Sequence, residues 1–369
     1  MISDPMFHIL RSYATLRTPR SIQKPSVSFK PAHDFLLYHL LLNPHFQEFP
    51  PSTQYQLSFW KWAISWLEEL MSGEAWKILA CYDELDERIY AHHVELMQST
   101  SSKNVGCARP QASYITYLWP TSRATERPVY PGYASATLLE SRTTIEAGTT
   151  GFRTWSASLV LAQYILQHPG LIAGRRVLEL GCGVGFLGVV AAYVQLEGRD
   201  SESASLWLTD VNEPVLQRCK VNLSLPCNDS HHHSDVKIEV LDWSDAVDPS
   251  RSPSIPAFFS EALPDVILGA DLVYEPSIIP MLVSVLKVAL MPRVEQHEPV
   301  AYITLTVRNE DTISGFLQEA GASLAVEEVS TQLVTQNMFT QSTELGQDAA
   351  QTVKVLKIKR GPLKTDIGH

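Results

Sequence analysis

Val177-Leu-Glu-Leu-Gly-Cys-Gly-Val-Gly-Phe-Leu-Gly188 reads as a strand that runs into a glycine turn and then into a helix. Arg176–Leu180 supplies the strand and Phe186–Val194 the helix. Gly181 and Gly183 let the backbone approach a ligand and take dihedrals that a Cβ forbids. The helix start beyond them presents unpaired N–H groups to an anion. Gly183, Gly185 and Gly188 also spell G-x-G-x-x-G, a weak dinucleotide signal on its own. Glu179 discriminates. An acid two residues before the first glycine sits badly with a pyrophosphate, whereas S-adenosylmethionine has no phosphate and brings an ammonium group. The bland alternative is a tight strand-to-helix turn with no ligand, and three further positions weigh against it.

Outward from this stretch, strand and helix periods alternate. Strands fit Leu206–Asp210, Lys237–Leu241, Val266–Gly269 and Ala301–Val307. Helices fit Ser156–Gln167, Glu213–Leu223, Ser277–Leu290 and Asp311–Ala320, and Ala325–Val329 and Thr352–Ile358 read as two closing strands. Such alternation predicts an α/β fold: a mostly parallel, Rossmann-like sheet of seven strands covered on both faces, with ligands beyond the strands' C-terminal ends. Residues 226–235 and 244–263 read as polar or Pro/Ser-rich insertions. His231-His-His233 sits in the first; adjacent side chains point apart, so no metal is expected.

The strand ends carry the chemistry. Asp210 closes the second strand, where a carboxylate can accept both ribose hydroxyls. Asp242-Trp243 closes the third, with an acceptor for the adenine amine and an indole to stack on its ring. Gly269-Ala270-Asp271-Leu-Val-Tyr274 closes the fourth, over the point where a methyl group would leave. Each aspartate alone reads as a helix cap. Tyr274 reads as a core aromatic as easily as a channel wall.

Glu-Leu-Gly-Cys-Gly, Thr-Asp, Leu-Asp-Trp and Ala-Asp-Leu-Val-Tyr together resemble the seven-β-strand methyltransferases, specifically the family 16 group of protein lysine methyltransferases. Glu146-Ala-Gly-Thr-Thr-Gly-Phe-Arg-Thr-Trp155 and Thr306-Val-Arg-Asn309 are similar to the branch that modifies eukaryotic translation elongation factor 2. The resemblance covers about 140–320, and the N-terminal region only in general character. It implies that Trp155, Gly181, Cys182, Gly183, Asp210, Asp242, Trp243 and Ala270 contact S-adenosylmethionine and that Glu179 supports the cofactor's amino-acid end. Asp271 and Tyr274 hold the family's catalytic-edge positions. The expected reaction is attack of a neutral lysine ε-amine on the sulfonium methyl, with no metal.

Ahead of this domain, residues 33–98 read as helical, broken at Pro50-Pro51. Trp60, Trp62 and Trp66 read as a core stripe rather than a recognition surface. Residues 99–112 read as a linker or long loop, and Tyr114–Trp119 with Ala136–Glu140 as a short β-hairpin. The expected organisation is therefore a helical N-terminal domain over 1–110, suspected of substrate recognition, a methyltransferase domain over 111–360 that begins with the hairpin, and a tail over 361–369. Apolar residues make up 45% of the 369 and charged ones 19%, ordinary for a globular chain able to bury a core. A formal net charge of −11 argues against direct nucleic-acid binding and suits a positively charged protein substrate. Five scattered cysteines indicate reduced thiols. No membrane-spanning run or secretory signal is read, so the expectation is a cytoplasmic monomer. Two other classes stand as rivals. A nicotinamide oxidoreductase leaves Glu179 and Asp242-Trp243 without a role, and a non-enzymatic interaction module predicts damage in the glycine turn. Within the methyltransferases, another protein or a small molecule stays open as substrate.

Overall fold

The computed structural model describes residues 5–72, 84–101, 112–123, 128–198, 204–292, 298–329, 338–339 and 352–361. The chain divides into two compact units, Met1–Thr144 with Met338–Gly346, and Ile145–Asn337 with Gln347–His369.

The first unit builds an aromatic core from short helices. α1 (Phe7–Ala14) was not read from the sequence: eight residues give too short a period, yet Phe7, Ile9, Leu10 and Tyr13 are all buried. α2 (Phe29–Phe35) runs on into a π-helical stretch, Leu36–Leu41. The Asn43 side chain accepts from His45 N–H to start α3 (Pro44–Glu48), with Pro44 in its first turn. α4 (Thr53–Ser72) follows, then α5 (Glu87–Ser101). Trp60 and Trp66 of α4 are buried and Trp62 is half-buried. Tyr13 packs with its ring centroid 4.6 Å from Phe59 and 5.1 Å from Phe46. β1 (Ser113–Pro120) and β2 (Tyr133–Glu140) pair antiparallel as the hairpin. That hairpin, expected to open the catalytic domain, instead belongs with the helices, because α1 packs against β1. Residues 102–111 of the expected linker, 73–83 of the expected helical span and 362–369 of the tail lie outside the described residues.

The second unit is the α/β half. Its elements run α6 (Ser156–Gln167), β3 (Arg176–Leu180), α7 (Phe186–Glu197), β4 (Ser205–Asp210), α8 (Glu213–Leu223) and β5 (Val236–Val240). They continue α9 (Ser254–Ala262), β6 (Val266–Ala270), α10 (Ile279–Ala289), β7 (Val300–Thr306), α11 (Glu310–Gly321), β8 (Leu324–Val329) and β9 (Val353–Arg360). The sheet has seven strands in the order β5-β4-β3-β6-β7-β9-β8. β3 through β7 are parallel, and β9 enters antiparallel between β7 and β8. Successive strands step outward from β3 to β5, then the chain returns to β6 on the other side of β3. The order therefore reverses beside β3, which opens a crevice at the strands' C-terminal ends.

Both insertions are ordered. α9 occupies the stretch read as polar loop; Ile255, Phe259 and Ala262 bury one helical face. Pro256 hid this period, but it lies in the first turn, where it is tolerated. In the other insertion, the Asn228 amide donates to Asn222 O (2.8 Å) and the Ser230 hydroxyl to Leu223 O (2.8 Å). The His233 ring hydrogen-bonds Gln195 Oε1 at 3.0 Å, so this histidine braces α7. No described helix is long and apolar enough to cross a membrane.

Candidate active site

A cavity of about 400 Å³ opens at the C-terminal ends of β3 to β6. All eleven residues singled out from the sequence line it: Trp155, Glu179, Gly181, Cys182, Gly183, Asp210, Asp242, Trp243, Ala270, Asp271 and Tyr274. The sheet brings most of them together because they lie in, end or follow neighbouring strands, and Trp155 joins them from the start of α6.

The glycine turn forms one wall. Gly183 has φ +53°, and a Cβ there would meet Gly151 O at 3.1 Å, so the 149–151 backbone closes over a position that only glycine fills. Cys182 N–H donates to Thr209 O (2.8 Å), pinning the turn to β4. The Cys182 thiol lies 3.8 Å from that of Cys219; this neighbour and burial push it well above the usual thiol range. It is a neutral packing group.

Glu179 is 3% exposed, and its Oε2 has no hydrogen-bond partner among the described residues. Burial, and then the Asp210 charge, push its carboxyl well above the ordinary range. A buried carboxylate oxygen without a partner costs free energy unless a donor from a ligand completes it. Asp210 follows at the end of β4. Its Oδ2 accepts from Gly183 N–H (3.2 Å) and its Oδ1 from Asn212 N–H (3.0 Å), leaving an acceptor site on each oxygen. Burial raises its pKa, and those backbone N–H groups oppose the rise. Asp242 Oδ1 accepts from Ser244 N–H (2.9 Å) and caps the turn that carries Trp243. It is thus both a cap and a wall of the cavity.

Asp271 departs from a simple open carboxylate. Its Oδ1 accepts from Thr306 N–H (3.1 Å) and its Oδ2 from Arg308 Nη2 (2.7 Å), while its backbone holds φ +60°. Left-handed backbone at a non-glycine residue costs about 1 kcal/mol or more, and the two bonds hold it there. The Thr306–Asn309 stretch thus has a structural reading. Thr306 and Arg308 grip Asp271, and the Asn309 side chain caps α11 through Asp311 N–H (2.8 Å). Tyr274 is 64% exposed at the rim, and partial burial, then the Glu275 carboxylate, raise its pKa. It is not a core aromatic.

Two arginines that line the cavity were not singled out from the sequence, Arg153 and Arg308. Their guanidinium carbons lie 4.7 and 5.0 Å from the Trp155 ring centroid, and Trp155 Nε1–H donates to Thr150 O (3.2 Å). Both sit inside the two stretches that carried the resemblance, but nothing in sequence spacing says which side chains turn inward.

These residues fit S-adenosylmethionine. Glu179 offers the missing partner for an ammonium, Asp210 two acceptors for ribose hydroxyls, and Trp243 an apolar face for a purine. A nicotinamide dinucleotide brings no ammonium to complete the buried Glu179 oxygen, so that alternative leaves this acceptor unpaired.

Comparison with known proteins agrees. A family described as lysine methyltransferase matches residues 137–320. "Protein-lysine N-methyltransferase EEF2KMT" of Bos taurus is 30% identical, over 80% of this chain and 79% of that one. "Protein-lysine N-methyltransferase EFM3" of Chaetomium thermophilum is 31% identical over 77% of each chain. The Homo sapiens EEF2KMT protein is 28% identical over 78% of this chain and 76% of that one. With the glycine turn, the unpaired Glu179 oxygen and these relatives pointing the same way, the chain belongs to the lysine methyltransferase family and uses S-adenosylmethionine as methyl donor.

Proposed function

We propose that this chain methylates a lysine ε-amine of eukaryotic translation elongation factor 2 in the cytoplasm, as a monomer, with Asp271 and Tyr274 at the reacting edge. The observation that carries the reading is the cavity itself: a partnerless buried carboxylate oxygen at one end and an exposed tyrosine beside a fixed carboxylate at the other. The substrate's identity rests on the relatives named EEF2KMT, an abbreviation for an elongation factor 2 lysine methyltransferase.

When bound, S-adenosylmethionine would supply an electrophilic methyl group for the lysine nitrogen, with sulfur as the leaving group. Glu179 would hold the ammonium of the cofactor's amino-acid end, Asp210 the ribose, and Asp242 and Trp243 the adenine. Trp155, Gly181, Cys182, Gly183 and Ala270 shape the walls around it. At the open end, Asp271 accepts a hydrogen bond from the incoming amine and aims its lone pair. Tyr274 lines the lysine's path and its hydroxyl anchors the chain. Positioning of this kind can supply several kcal/mol without a strong base. The ε-amine ordinarily titrates near ~10.4, so one proton must leave to solvent first.

Charge supports a basic target. The first unit, 1–144 with 338–346, carries 13 basic and 14 acidic side chains, whereas the rest of the chain carries 16 and 26, so nearly all of the excess negative charge lies with the α/β half. Such a field concentrates a lysine-bearing segment near the cavity. The first unit, whose described residues contribute none of the cavity's lining, recognises the folded substrate; Tyr90, Val94 and Met97 expose an apolar stripe along α5.

The deciding experiment incubates the purified protein with radiolabelled S-adenosylmethionine and unmethylated elongation factor 2, then maps the label. A labelled lysine in that factor supports the reading. An unlabelled factor, with label appearing on a different protein when cell lysate replaces it, overturns the substrate.

A further inference from the structure

Asp271 does not meet the cavity as a lone anion. Arg308 Nη2 lies 2.7 Å from its Oδ2, and among the described residues no other cation pairs with it. The guanidinium is itself held, with its carbon 5.0 Å from the centroid of the Trp155 ring. Arg153 lies over the same indole at 4.7 Å, so Trp155 is the fixed partner of both cations. Thr306 N–H takes the other carboxylate oxygen, and the pair has little freedom to part.

We infer that Arg308 is a positioning residue for methyl transfer: it neutralises Asp271, so that the carboxylate orients the lysine amine without trapping it as ammonium. This rests on the placement of Asp271 at the reacting edge proposed above. Only the free amine has a lone pair to give. A bare carboxylate within hydrogen-bond reach favours the protonated lysine and raises its pKa, which tightens binding while lowering the reactive fraction. A guanidinium bonded to that carboxylate removes most of its net charge and leaves its lone pairs as acceptors. The substrate's ε-ammonium then releases its proton to solvent more readily.

The remaining charged or titratable groups around this cavity are Arg153, Glu179, Cys182, Asp210, Asp242, Tyr274 and Glu275, the Cys182 thiol being neutral. Burial favours the neutral forms of Glu179 and Asp210. Arg153 adds to the cationic side, and Glu275 is exposed to solvent. Asp271 is the carboxylate held at the open end by an arginine, so its pairing governs what charge the amine meets.

The test uses the full chain with Arg308→Gln, Arg308→Lys, Asp271→Asn and the double variant Asp271→Asn/Arg308→Gln. The first readout needs no turnover: titration of n-butylammonium into each protein saturated with S-adenosylhomocysteine. Arg308→Gln should bind the probe about tenfold more tightly than wild type, the equivalent of one pKa unit. Arg308→Lys should stay within threefold of wild type, and the double variant should match Asp271→Asn. The second readout is the pH profile of single-turnover methylation of elongation factor 2. Arg308→Gln should move its midpoint up by about one unit, with both kcat and KM lowered. No tightening of the probe in Arg308→Gln, or equal damage in Arg308→Gln and Arg308→Lys, overturns the inference. If Asp271→Asn leaves both readouts at wild-type values, the placement of Asp271 itself fails. If Asp271→Asn alters them and Arg308→Gln does not, only the role of Arg308 falls.

Discussion

His45 in the first unit and Glu179 in the second are both enclosed ionisable side chains, and they are enclosed to opposite ends. His45 Nε2 hydrogen-bonds Thr116 Oγ1 (3.0 Å) and Thr137 Oγ1 (3.2 Å) on the hairpin. Burial pulls its pKa down to about 4. Its ring is satisfied as a neutral group, and it ties α3 to the sheet behind it. Glu179 also sits where burial disfavours charge, but one of its oxygens has no partner and faces a cavity. The contrast separates a polar group buried to specify packing from one buried to meet a ligand. Satisfaction, rather than burial or a shifted pKa, tells them apart.

That contrast can be broken first by pH. The folded pKa of His45, about 4, lies below its ordinary 6.5, so between those values the unfolded state binds the extra proton. Stability of the first unit is then fully present above about pH 6.5, falls as pH drops toward 4, and levels below it. The full loss amounts to about 3.5 kcal/mol at ~1.4 kcal/mol per pKa unit, of which about 2 kcal/mol is reached by pH 5. Hydrogen exchange of hairpin amides at pH 7 and pH 5 measures it, and His45→Gln should abolish that pH dependence. An equal slope in the variant assigns the effect elsewhere.

Next in size is Asp271→Ala, expected to slow single-turnover methylation about 100-fold while leaving S-adenosylhomocysteine affinity nearly intact. A wild-type rate makes Asp271 scaffold for the Thr306–Asn309 stretch. Asp210→Ala should weaken cofactor binding by about 1.5–3 kcal/mol in calorimetry, the worth of hydrogen bonds to a charged group. Unchanged affinity removes Asp210 from the site.

The smallest effect sharpens the comparison most directly. Glu179 has a raised pKa in the free protein, and an ammonium partner would pull it down. Binding therefore favours ionised Glu179. Affinity for S-adenosylhomocysteine is present in full above the free-protein pKa and falls as pH drops through it. Glu179→Gln should lower affinity about tenfold, close to one charge-assisted hydrogen bond, and flatten that profile. A wild-type slope in the variant means that Glu179, like His45, is buried for packing.

Much of the α/β half was legible because its signals are local. Strand runs, the glycine turn and an acid at each strand end have fixed spacing along the chain, and parallel β3 to β6 turn that spacing into one cavity wall. α1 and α9 were less legible. One is only eight residues long and the other has proline inside its first turn, so neither shows a sustained apolar period. The hairpin reads clearly as two strands, yet no pattern within it says which unit it joins; that depends on α1 packing against β1.

The sequence by itself determined the sheet's strands, the glycine turn, and the identity of every carboxylate around the donor, since each is a matter of residue type at a short, fixed interval. Only the tertiary structure decided what those carboxylates face. Asp271 and Arg308 are 37 positions apart and meet because β6 and β7 are neighbours in the sheet. Arg153, Trp155 and Arg308 stack because the start of α6 lies against the end of β7. Glu179 is buried among neighbouring strands, and its Oε2 has no partner among the described residues, at the wall of the cavity. Charge pairing and desolvation are sums over neighbours in space, and a linear chain does not state who those neighbours are.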